Sequence, residues 1–146
     1  MTTIESVLLY GCKSWPLNKT TTKQIDGAYT RLVISALNVS WRDHITNLIL
    51  YGSLPKITIK IKERRMRLAG HCYQHDDEIS SMLVLWQPDR GQANREKRRT
   101  TLVDTLLNDT GCTTTGELSN TMMDSDGWKA RIHDVRGLAP GRDRDR

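Results

Sequence analysis

The sequence predicts a mostly α-helical protein: a small helical bundle with a second short helical lobe and a disordered C-terminal tail. Three observations lead there. Apolar residues recur at helical spacing, most clearly Ile25, Ala28, Tyr29, Leu32, Val33, Ala36 and Leu37. Capping residues precede several such runs, and glycines close some of them. The apolar fraction is 37% with no Phe at all, below the ~45–50% usual for globular domains, so the core is thin.

In chain order, residues 4–15 predict a short helix with Thr3 as its cap and Pro16 as its stop. Thr20-Thr21-Thr22 precedes the strongest helical stripe, Ile25 to Leu37, read as facing the core. Ser40-Trp41-Arg42-Asp43 has the form of a capping box, the Ser40 hydroxyl serving the free amides of a new turn. Thr46 is placed to cap another short turn, which Gly52 ends. Residues 56–75 carry a basic helical run, and residues 76–98 read as a linker. Leu102, Val103, Leu106 and Leu107 then share one helix face that Gly111 terminates. Thr115 to Met123 and Asp126 to Val135 complete the second lobe, with Asp126 as cap and Trp128 as the large buried side chain. The expected organisation is therefore a lobe at 1–75, a linker at 76–98, a lobe at 99–137 and a tail at 138–146.

Cys12, Cys72 and Cys112 are odd in number and widely spaced, which points to free thiols in a reducing compartment. No apolar run approaches the ~18–20 residues of a membrane span, and the first residues lack the basic flank of a signal peptide. A soluble intracellular protein, cytoplasmic or nuclear, is expected.

The net charge of +5 is concentrated. Residues 56–75 hold six Lys/Arg against one acid, an excess equal to that of the whole chain. On a helix, Lys56, Lys60, Arg64, Arg67 and His71 fall within roughly 80° of one another, a basic ridge. Ile57, Ile61, Leu68 and Cys72 flank it, as do Ile59, Met66, Ala69 and Tyr73. Thr58 to Lys62 also alternates as a strand would, but Pro55 ahead and Arg64 to Ala69 behind favour a helix. Such a ridge suits phosphate contact and predicts binding that weakens steeply with salt. The competing reading is a solvated charged face.

Catalytic chemistry has no foothold. His71, Cys72 and His75 are close, but a zinc site needs about four ligands, and Cys12, His44, Cys112 and His133 are scattered. No metal ligand set, cofactor motif or catalytic residue is assigned. Tyr73-Gln74-His75-Asp76-Asp77 misses the polymerase Tyr-x-Asp-Asp spacing by one residue, and Asp104 and Asp109 read as ordinary helix-surface acids.

Several segments in order resemble one family. Leu8-Leu9-Tyr10-Gly11-Cys12-Lys13-Ser14-Trp15 is similar to the Leu-Tyr-Gly-x-Glu-x-Trp signature that follows the polymerase core of non-LTR retrotransposon reverse transcriptases. Arg64-Arg65-Met66-Arg67-Leu68-Ala69-Gly70-His71 resembles the same family's Arg-rich run ending in Leu-x-Gly-His. Ser40 to Asn47 and Leu50 to Pro55 are similar to the connecting stretch, and downstream Arg90-Gly91, Thr100 to Asp104, Asp109-Thr110-Gly111 and Trp128-Lys129 fall in the family's order. Lys13-Ser14 stands where the family has Glu before Trp, and Arg95 to Arg98 where Gly-Arg-Pro is usual. The resemblance implies the post-palm thumb and connector region of a reverse transcriptase polyprotein, whose complete form is an RNA-directed DNA polymerase. It implies a segment that holds RNA or an RNA/DNA template-primer and carries no catalysis of its own.

Lys56, Lys60, Lys62, Arg64, Arg65, Arg67 and His71 are accordingly the candidate nucleic-acid-binding residues, acting on phosphate with little sequence preference. Two alternatives stand beside this: a protein-docking module whose ridge packs on an acidic surface such as the missing palm domain, and a non-functional remnant of a decayed retroelement.

Overall fold

A computed structural model describes residues 2–52, 54–75, 78–87 and 100–137, and all their regular structure is helical. Residues 76–77 and 88–98 of the expected linker, the expected tail 138–146, and residues 1, 53 and 99 lie outside the described residues.

Helix α1 (Thr2–Leu8) is shorter than expected, and Thr3 lies inside it rather than capping it. The chain turns at Gly11 with φ 66°, a left-handed conformation that glycine adopts without strain. A single 3-10 turn, Cys12–Ser14, follows and buries Cys12. Helix α2 (Lys19–Ala36) starts ahead of the three threonines because Asn18 caps it. The Asn18 Oδ1 accepts from Thr21 N at 2.7 Å, and Thr21 Oγ1 accepts from Asn18 N at 2.9 Å. Of its apolar stripe only Tyr29 and Val33 are fully buried, while Leu32 and Leu37 face outward. The partners packed on α2 are α4 and the five-residue helix α3 (Asn47–Tyr51), too short to cover it all.

Ser40 and Asp43 form the expected capping box on the 3-10 turn Trp41–Asp43. Thr46 stands at the N-cap of α3 without a side-chain bond, and Gly52 ends that helix. Helix α4 (Ile57–Gln74) is helical throughout, which settles the strand alternative for 58–62. Helix α5 (Glu78–Val84) occupies part of the stretch expected to be linker and places Val84 in the core. Helices α6 (Leu102–Thr110) and α7 (Thr115–Met123) match the predicted spans, α6 with a Thr101–Asp104 capping box and Gly111 as its stop. Helix α8 spans Ser125–Gly137 and begins before Asp126. The Asp124 carboxylate, not that of Asp126, serves its first turn, accepting from Asp126 N at 3.2 Å.

The core has two parts, and α4 runs through both. Leu9, Cys12, Tyr29, Val33, Ile57 and Ile61 form the first; Met66, Ala69, Val84, Val103, Leu106, Cys112, Leu118, Met122, Trp128, Ile132 and Val135 form the second. The two clusters meet in the middle of α4, and α6, α7 and α8 pack on that helix. At the crossing of α4 and α8, Trp128 lies on Gly70. A β-carbon there would stand 2.2 Å from the Trp128 Nε1, which donates to the Met66 carbonyl at 3.0 Å.

Candidate functional site

Everything the sequence marks as basic depends on how α4 is held, starting at its N-terminus. Lys56 is the N-cap and has no side chain able to accept from the free amides. Asp26 of α2 supplies the acceptor instead: its Oδ1 accepts from Thr58 N at 3.3 Å and from Thr58 Oγ1 at 2.9 Å. A carboxylate at that end also complements the positive pole of the helix.

One turn on, Lys60 donates to Glu5 of α1 at 2.7 Å, and the Tyr29 hydroxyl donates to the same carboxylate. Burial pushes the Glu5 carboxyl up, but the hydrogen bonds from Lys60 and Tyr29 and the charges of Lys60 and Arg64 outweigh it. The carboxyl is held below its usual range. Burial and the Glu5 partner push the Tyr29 hydroxyl above its own.

Arg65 is 2% exposed and uses all three sides of its guanidinium. Nη1 meets the Asp109 carboxylate at 2.6 Å, Nη2 donates to the Trp15 carbonyl at 2.6 Å, and Nε donates to the Lys13 carbonyl at 3.2 Å. Lys62 reaches the other Asp109 oxygen at 3.3 Å. Segments 8–15 and 64–71 are thus joined to each other by Arg65. The Asp109 side chain is 4% exposed, so it is a buried ion-pair partner and not the surface acid read from the sequence. Glu63 is buried as well, bound by Arg67 at 2.6 Å and by Arg136 of α8 at 2.8 Å.

The seven candidate residues therefore separate into two groups. Lys56, Lys60, Arg64, Arg67 and His71 stand on the exposed or half-exposed edge of α4, as one ridge. Lys62 and Arg65 lie roughly 140–160° around the helix from its centre and hold Asp109. Arg65 in particular belongs to the interior and is not presented to solvent. The reason is angular, and the 100° helical step that groups the ridge also excludes these two. What the sequence did not reveal is the set of carboxylates, Glu5, Asp26 and Asp109, because each lies far along the chain from the residue it meets.

On the outer edge, Arg64 is exposed and forms no ion pair among the described residues, and neither does the half-buried Lys56. Around α4, among the described residues, seven cations (the six Lys and Arg candidates with Arg136) meet four carboxylates (Glu5, Asp26, Glu63, Asp109), an excess of three. His71 and His75 pack edge to face with ring centres 5.3 Å apart. Among the described residues no group of three or more His, Cys, Asp or Glu is placed to hold a metal ion. No described helix is long and apolar enough to cross a membrane.

Of the Tyr73 to Asp77 stretch, Tyr73 shares a 2.6 Å hydrogen bond with Ser119 and Gln74 donates to the Met122 carbonyl; Asp76 and Asp77 lie outside the described residues. A second surface feature adjoins α4: an apolar groove of about 610 Å³ lined by Trp15, Leu68, Cys72, Leu83 and Leu102 among others. The chain matches no protein-family model, no curated protein and no solved structure.

Proposed function

We propose that this chain is a nucleic-acid-binding helical segment, the post-palm portion of a non-LTR retrotransposon reverse transcriptase. It grips RNA or an RNA/DNA template-primer through phosphate and works in the cytoplasm or nucleus. The observation that carries this reading is the outer edge of α4. Lys56, Lys60, Arg64, Arg67 and His71 line one exposed or half-exposed ridge, and the described cations around the helix outnumber their carboxylates by three. The order of resembling segments along the chain supports the family assignment. Polymerase chemistry is assigned to the palm of the parent protein, not to this segment.

Phosphate contacts make the binding constant fall with salt by roughly 0.9 log units per contact per decade. Fluorescence anisotropy against a structured RNA and a matched DNA duplex, at three salt concentrations, should give a slope of about three to five contacts. Arg64→Ala should reduce that slope by about one while leaving thermal stability within ~0.5 kcal/mol, since Arg64 is exposed and forms no ion pair among the described residues. A folded chain that binds neither probe, or an Arg64→Ala variant with an unaltered slope, would remove the ridge from consideration. Preference for RNA would sharpen the retroelement assignment.

A further inference from the structure

Helix α8 runs back along α4: Trp128 near its start lies on Gly70, and Arg136 near its end meets Glu63. At 100° per residue, Glu63 and Gly70 stand about 60° and 80° from Lys60, on the same side of α4. The ridge residues Lys56, Arg64, Arg67 and His71 all lie within about 40° of Lys60, so α8 borders the basic ridge along one flank. The contact between Glu63 and Arg136 is a shared one. One oxygen of the buried Glu63 carboxylate meets Arg67 Nη2 at 2.6 Å, and the other accepts from Arg136 Nε at 2.8 Å. The side chains of Arg67 and Arg136 are 60% and 49% exposed, against 8% for Glu63. One carboxylate between two arginines leaves a positive charge over.

We infer that Arg136 is a further phosphate-contacting residue, which carries the nucleic-acid surface from α4 onto α8. Glu63 is then a positioning residue that holds Arg67 and Arg136 side by side. The inference rests on the nucleic-acid reading of the ridge and adds a second helix to it. Arg65 shows the form an internal arginine takes in this molecule, 2% exposed and engaged on all three sides of its guanidinium. Arg136 has the opposite form. It stands half in solvent and, among the described residues, engages Glu63 through Nε alone. A guanidinium is a planar fork of N–H donors that keeps its charge, so the two terminal nitrogens of Arg136 remain able to donate to a phosphate. Holding the fork on a buried carboxylate also removes side-chain freedom before the ligand arrives, which lowers the ordering cost of the contact. Arg67, fixed by the same carboxylate, offers its other donors beside it.

Binding of a structured RNA by the full chain and its variants, followed by fluorescence anisotropy at several salt concentrations, tests it. Arg136→Gln removes the charge but keeps a side-chain donor for Glu63. Its slope of binding on salt should fall by about one, as for Arg64→Ala, and that of the double variant by about two. A residue that only docks α8 would change stability and leave the slope alone. A folded Arg136→Gln variant with the parent slope therefore overturns the inference, and the ridge reading survives if Arg64→Ala still lowers it. A folded chain that binds no RNA, or whose slope neither variant changes, removes the ridge and this inference with it. Should Arg136→Gln fail to fold, modification of the unaltered chain by the arginine reagent phenylglyoxal, mapped by mass spectrometry, decides. Bound RNA should slow modification of Arg136 together with that of Arg64. An unchanged rate at Arg136 while Arg64 is protected overturns the inference and leaves the contact to α4 alone.

Discussion

The two halves of the molecule are built on one helix by different means. Around the first half of α4, six buried apolar residues are tied together by polar cross-links: Glu5 with Lys60 and Tyr29, Asp26 with Thr58, and Thr30 with Tyr51. Around the second half, eleven buried residues pack with Trp128 against Gly70, and most of the stability there is burial of apolar surface. Between them Arg65 and Asp109 form the seam, reaching from the 3-10 turn to α6. Burial of apolar surface depends little on pH, whereas the polar cross-links work only in one protonation state. The first half is therefore expected to answer to pH, and the second to side-chain volume.

The seam is where the comparison breaks most completely. Arg65→Ala leaves Asp109 buried with only the longer Lys62 contact and frees the Lys13 and Trp15 carbonyls. Removing one partner of a buried pair costs about 3–5 kcal/mol, so hydrogen exchange should show both halves losing protection. Loss confined to one half would show that the seam does not couple them.

Gly70→Ala comes next. On helix propensity alone it should stabilise α4 by up to ~1 kcal/mol, but the new β-carbon meets Trp128 at 2.2 Å and must displace it. The net effect is expected to be destabilising by about 2 kcal/mol, read by denaturant unfolding, with the loss concentrated in α4 and α8. A stabilised variant would mean that Trp128 moves aside at no cost.

The smallest effect is that of pH. The Glu5 carboxyl titrates below its unfolded value, so its contribution to stability is complete above the unfolded pKa. It is lost as pH falls from there through the lower folded value. Mild acid should loosen α1 and the start of α4 before the C-terminal core, and Glu5→Gln should flatten that acid limb. Simultaneous loss of both halves in acid would leave the contrast between them without a basis.

Much of this architecture was legible in local pattern. Helix α4 followed from Pro55 and the run to Ala69, α6 from its stripe and Gly111, and α7 from Thr115 to Met123. The errors lay at boundaries where a nearby residue captured the amides: Asn18 ahead of the threonines, and Asp124 ahead of Asp126. The split of the first helix at Gly11 followed from a left-handed turn, to which a periodicity argument is blind. The ridge itself was readable because residues three and four apart share a helix face.

What the sequence by itself determined is which segments are helical, where most of them stop, and which five residues of α4 stand together on one edge. These follow from interactions a few residues long: capping, periodicity and the freedom of glycine. Only the tertiary structure decided which carboxylate each cation meets. Arg65 meets Asp109 across 44 residues, Lys60 meets Glu5 across 55, and Arg136 meets Glu63 across 73. The same holds for the close approach of Trp128 to Gly70. Charge and volume are written residue by residue, but pairing at such separations exists only once the helices are packed.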